Sequence, residues 1–175
     1  MPAYHSTFLA TNADARVVAS LAVLPFRTKF RGPSYPCEDD YDIIDEILDL
    51  FRANCFFKNF EIKGPADRSL IYGILFVSDC LNRLKPNTTM NDANRILNTA
   101  AVDHFALPGD PGFPLNALYT APRDRVEVDF LRGYLVQFRQ ELALRLIERL
   151  YAGGASVPNK HWLAFTRRKF MNRSL

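Results

Sequence analysis

The sequence predicts an all-α fold: a single-domain irregular helical bundle over residues 1–175, with a long central helix surrounded by others. Three observations carry this reading. Four segments space their apolar residues at a helical period, and no series of segments alternates apolar and polar residues as half-buried strands do. The chain shows no internal repeat, and 175 residues suit one core that buries roughly 70% of the unfolded surface.

The first 36 residues have no clear helical period. Val17–Leu24 reads equally as a strand or a buried helix, and Pro25 ends it. Phe26–Pro36 (FRTKFRGPSYP) follows as a basic connector punctuated by proline. From Asp39 to about Cys55 the helical period is clearest. Leu50, Ile43, Ile47, Phe51, Ile44, Cys55 and Leu48 share one arc, and Asp42, Asp45, Glu46 and Asp49 share the opposite one. The expectation is an amphipathic helix with a negative, solvated outer face. Glu38, Asp39 and Asp40 lie at its start, where the helix dipole favours acids.

Phe56–Gly64 (FFKNFEIKG) either continues that helix or runs extended. Pro65 suits a first helical position, and Pro65–Leu84 is apolar nearly all round between Leu70 and Val77. Such a helix belongs in the middle of a bundle. Pro86 closes it, and Thr88 or Thr89 caps a shorter polar helix through about Asp103, with Ile96, Leu97 and Ala100 inward. Leu107–Pro122 holds four Pro and two Gly in 16 residues, which predicts a long loop.

The last long helix, about Arg125–Ala152, would span roughly 42 Å and cross the whole domain. Its apolar stripe changes side: Phe130, Leu131, Tyr134, Leu135 and Phe138 share one face, and Leu142, Leu146, Ile147, Leu150 and Tyr151 another. One helix should therefore meet different neighbours at its two ends. Gly153-Gly154 stops it. The tail HWLAFTRRKFMNRSL mixes aromatics with Arg167, Arg168, Lys169 and Arg173 and contains no acid.

Composition narrows the function classes. A net charge of +3 is too small to indicate nucleic-acid binding by itself. The longest apolar run, Leu70–Val77, is too short to cross a bilayer, so no membrane insertion is expected. Cys37, Cys55 and Cys80 form no CxxC pair and match no zinc framework, which predicts free thiols in a reducing compartment. No phosphate-binding loop, nucleophile elbow or zinc-protease motif occurs, so neither an enzyme nor a cofactor is expected. The acids of Asp39–Asp49 lack the glycine and terminal glutamate of a calcium loop.

What remains unusual is the aromatic content: 14 Phe and 7 Tyr against one Trp. Outside the periodic helices these residues concentrate in the proline-rich loop and the tail. In the loop, Phe113, Leu115 and Tyr119 either fold back on the domain or form a patch for a partner. In the tail, Trp162, Phe165, Arg167, Arg168 and Phe170 have the composition of an interface hot spot, or else pack on the chain's own core. A basic-tailed nucleic-acid adaptor is the alternative reading.

Longer strings add a resemblance. LAVLPFRTKFRGP (Leu21–Pro33), NCFFKNFEIKGPADRSLIYGILF (Asn54–Phe76), LPGDPGFPLNALY (Leu107–Tyr119), LRGYLVQFRQELALRL (Leu131–Leu146) and RRKFMNRSL (Arg167–Leu175) resemble the subunit 3 family of the actin-related protein 2/3 complex, which nucleates branched actin filaments. The resemblance runs through the whole chain and is weakest over about Leu84–Val102. It implies a non-catalytic, helical subunit of the cytoplasmic actin cytoskeleton. Its partners would be actin-related protein 3, the other subunits of the seven-subunit complex and the actin filament, with no nucleotide bound by this chain.

Overall fold

The computed structural model describes residues 4–11, 15–56, 58, 60–166 and 168–175. Four long helices form the bundle: α2 (Ile43–Asn54), α3 (Pro65–Asn82), α4 (Met90–Val102) and α5 (Arg125–Leu150). Two single-turn helices flank them, α1 (Phe8–Thr11) and α6 (Lys160–Leu163). A two-stranded hairpin, β1 (Val17–Val18) with β2 (Leu21–Ala22), makes the fold mostly helical rather than all-α. The hairpin falls within Val17–Leu24, where the sequence left a strand or a buried helix open. Ala19 and Ser20 turn the hairpin at φ values of 54° and 65°, the left-handed region that two-residue hairpin turns require.

Local chemistry sets the helix ends. Asp42 caps α2 and forms a reciprocal capping box with Asp45: each side chain accepts the other's backbone N–H. Pro65 opens α3, Thr89 caps α4 and Asp124 caps α5. Beyond α5, Gly153 and Gly154 take φ values of 74° and 76° and turn the chain away. Phe56–Gly64 contains no helix among its described residues.

The core lies between α2, α3 and α5, with α4 packed on α5. Residues 70–78 of α3 are buried, as its all-round apolar pattern predicts. Gly73 lets α2 approach closely, because a Cβ there would run into the Ile47 side chain. The buried stretch Leu21–Leu24 and Phe26 threads between α3 and α5. Ser69 donates to the Ala22 carbonyl at 2.6 Å and Tyr134 to that of Leu24 at 2.7 Å. Phe26 then packs edge-on against Tyr134 and Phe138, both at 5.8 Å.

Helix α5 does meet different neighbours along its length. Phe138 packs on Tyr72 of α3 at 6.0 Å, while Tyr151 just past the helix donates to the Thr88 carbonyl at 2.8 Å. Arg145 and Arg149 reach α2.

The expected solvated acidic face of α2 is corrected by this packing. Asp42 and Glu46 are buried, and Asp45 is half-buried. Arg145 holds both oxygens of Asp42, at 2.7 and 2.9 Å, and Arg149 holds Asp49 at 2.8 Å. Arg27 adds contacts to Asp42 and Asp45. Burial alone would raise the Asp42 pKa, but hydrogen bonds from Arg145 and the Arg27 backbone outweigh it, so the group lies below the ordinary aspartate value. Asp42 and Asp45 thus lie in a seam between α2 and α5, Glu46 accepts from Thr7, and Asp49 stays exposed beside Arg149.

Candidate protein interface

Tail residues reach the bundle because the chain doubles back after α5. Asn159 donates its backbone N–H to the Leu150 carbonyl at 2.9 Å, and its side chain caps α6 through His161 N at 2.8 Å. Trp162 therefore lands on the C-terminal part of α2, its ring stacked on Phe51 at 5.8 Å and 12°. The Arg52 guanidinium covers Trp162 at 4.9 Å. Phe165 meets Phe51 edge-on at 6.2 Å and Phe56 at 5.3 Å. Arg168 lies over Phe56 at 4.8 Å.

The result is a surface of alternating rings and guanidinium groups. Phe56 is 53% exposed, Phe165 half-buried, and Arg52, Arg168 and Lys169 exposed. Arginine stacked on an exposed aromatic ring gives a flat, cationic, partly apolar face, the composition enriched at protein interfaces.

The sequence-derived candidates divide into distinct groups. Trp162 and Phe170 are buried in the chain itself; Phe170 packs on Phe60 at 5.6 Å, and Phe60 in turn on His5 at 4.8 Å. Phe113, Leu115 and Tyr119 are buried as well. Phe113 stacks on Tyr72 at 6.5 Å and meets Tyr119 edge-on at 5.1 Å, and the Tyr119 hydroxyl donates to the Arg68 carbonyl at 2.6 Å. Of the two readings left open for the loop, these side chains fold back on the domain. Tyr72 gives Phe113 an apolar contact, and the Arg68 carbonyl gives Tyr119 a polar one. Phe165 and Arg168 keep surface, and Arg167 lies outside the described residues.

Sequence reasoning overlooked Arg52 and Phe56. Phe56 follows the end of the α2 pattern inside an ambiguous aromatic string, and nothing local says which of its rings faces outward. Arg52 stands off the apolar arc, and only the returning tail gives it a ring to cover.

The rest of the chemistry is structural. Burial pushes the Cys55 thiol up to about 11 and that of Cys80 higher still, so both are protonated and unreactive near neutrality. Among the described residues, no cluster of three His, Cys, Asp or Glu side chains could hold a metal ion. No described helix is long and apolar enough to cross a membrane.

Comparison with known proteins decides the family. The profile of P21-Arc, the ARP2/3 complex ARPC3 (21 kDa) subunit, matches residues 1–175. The chain belongs to the P21-Arc family. Actin-related protein 2/3 complex subunit 3 of Saccharomyces cerevisiae is 61% identical to it over 178 residues, covering all of both chains. The Schizosaccharomyces pombe subunit 3 is 54% identical, again over the full length of both. That of Dictyostelium discoideum is 43% identical over 98% of this chain and 99% of its own.

Proposed function

We propose that this chain is a non-catalytic structural subunit of the ARP2/3 complex that supports nucleation of branched actin filaments. It packs on actin-related protein 3 and lies near the mother filament at the branch junction. Its partners are that subunit, the other subunits of the complex and the actin filament, within the cytoplasmic actin cytoskeleton. The observation that carries the reading is the 61% and 54% identity, over the full length of both chains, to subunit 3 of Saccharomyces cerevisiae and Schizosaccharomyces pombe. The surface built from Arg52, Phe56, Phe165 and Arg168 supports it, because exposed rings and guanidinium groups are enriched where proteins meet.

Native size in a cell extract tests the proposal. The chain is expected to migrate in a large particle together with actin-like subunits. Migration alone near 20.0 kDa overturns it. Nucleic-acid binding that weakens steeply with salt would favour a basic-tailed adaptor instead.

A further inference from the structure

A cleft of about 250 Å³ opens where the end of α3 meets the 104–114 segment. Arg139 of α5 lines it and is only 4% exposed. Its Nε and Nη2 donate to the Ala101 and Ala100 carbonyls at 3.3 and 2.8 Å, closing the C-terminal end of α4, and Nη1 donates to the Tyr72 hydroxyl at 3.2 Å. The Phe76 and Phe105 rings cover its faces at 4.6 and 4.2 Å. A guanidinium carries five N–H donors, so these contacts leave part of its capacity unused.

Buried cations are normally paired with an anion. Arg145 follows that rule, with Asp42 and Asp45 against it. Arg139 does not: among the described residues no carboxylate pairs with it. Helix-end carbonyls and ring faces offset only part of its charge. The cleft adds Arg83, His104 and Leu175, while its one acidic side chain, Asp79, is held by Arg83 at 3.1 Å. The lining therefore brings the Arg139 and Arg83 guanidinium groups together with the apolar rings of Phe105 and Phe113.

We propose that this cleft receives an aspartate or glutamate side chain from a neighbouring subunit of the complex. The carboxylate would meet Arg139 and Arg83, and the methylene stem would lie against Phe105 and Phe113. The proposal rests on the complex membership proposed above and is independent of the Phe56–Arg168 face.

The test uses complex purified through a tag on another subunit. If wild-type chain is absent from it, the membership reading itself fails. With wild-type chain present, Gly112→Trp is introduced at the cleft. Gly112 is exposed and an added Cβ would meet only the Ala106 Cβ, at 3.9 Å, so the new side chain starts from open space, and the variant's melting temperature checks the fold. The variant is expected to melt with the wild type yet dissociate from the complex about tenfold more readily, or more. Separately, His104→Lys places an amine at the exposed rim, and carbodiimide treatment of the intact complex should join it to an acidic residue of another subunit, mapped by mass spectrometry. Wild-type retention of Gly112→Trp, or crosslinks confined to this chain's own acids, overturns the proposal.

Discussion

Arg145 of α5 grips the N-cap of α2: its Nη1 and Nη2 meet the two carboxylate oxygens of Asp42 at 2.7 and 2.9 Å. Asp42 also accepts the N–H of Asp45, so one buried carboxylate both starts a helix and docks it. Removing one partner of such a pair leaves an uncompensated buried charge, and Arg145→Met should cost about 3–5 kcal/mol. Chemical denaturation of the isolated chain measures this. A cost no larger than that of an exposed ion pair, below about 1 kcal/mol, would show that the seam is decorative.

The same carboxylate gives a pH signature. Its folded-state pKa lies below the ordinary aspartate value, so its stabilisation is fully present above the unfolded pKa and is lost as pH falls through the folded one. The stability gap between wild type and Asp42→Asn should hold steady from pH 7 to about 5, then narrow below about 4. A gap that stays constant down to pH 3 contradicts the assignment.

The loop residues separate core from interface. Phe113→Ala should destabilise the isolated chain by about 3–5 kcal/mol, because it vacates the space between Tyr72 and Tyr119. Tyr119→Phe removes only the hydroxyl bond to Arg68 and should cost about 1 kcal/mol. If Phe113→Ala melts with the wild type but fails to assemble, the ring belongs to a partner after all.

The exposed face predicts the opposite pattern. Phe56→Ala and Arg168→Glu should leave the melting temperature of the isolated chain within a few degrees, since neither side chain is buried. Both should weaken retention in the complex, with Arg168→Glu the more salt-sensitive. Unchanged retention for both variants removes this face from the interface.

Gly73 supplies a packing test. Gly73→Ala improves helix propensity by about 1 kcal/mol, but the new methyl meets Ile47 Cγ1 at 2.7 Å. Overpacking of about 1–3 kcal/mol should win, and Ile47→Ala in the same chain should relieve it. Independent, additive effects would mean that α2 and α3 are not in tight register there.

Helix existence and ends were legible in the sequence because their causes are local. Pro65, Thr89 and the Gly153-Gly154 pair act on their own backbones, and the apolar arc of α2 depends only on spacing. Family membership was legible for the same reason, since long strings are read without folding them. Three things awaited the tertiary structure. Asp42 was expected in water, yet its partner Arg145 is 103 residues away. The facing of Phe113, Trp162 and Phe170 depended on Tyr72, Phe51 and Phe60, none of them a sequence neighbour. Arg139, an unremarkable residue of α5, became a buried cation only when the α4 carbonyls and two rings closed around it. Periodicity tells a side chain which way to point from its own helix; only the other elements decide whether water, a carboxylate or a ring is waiting there.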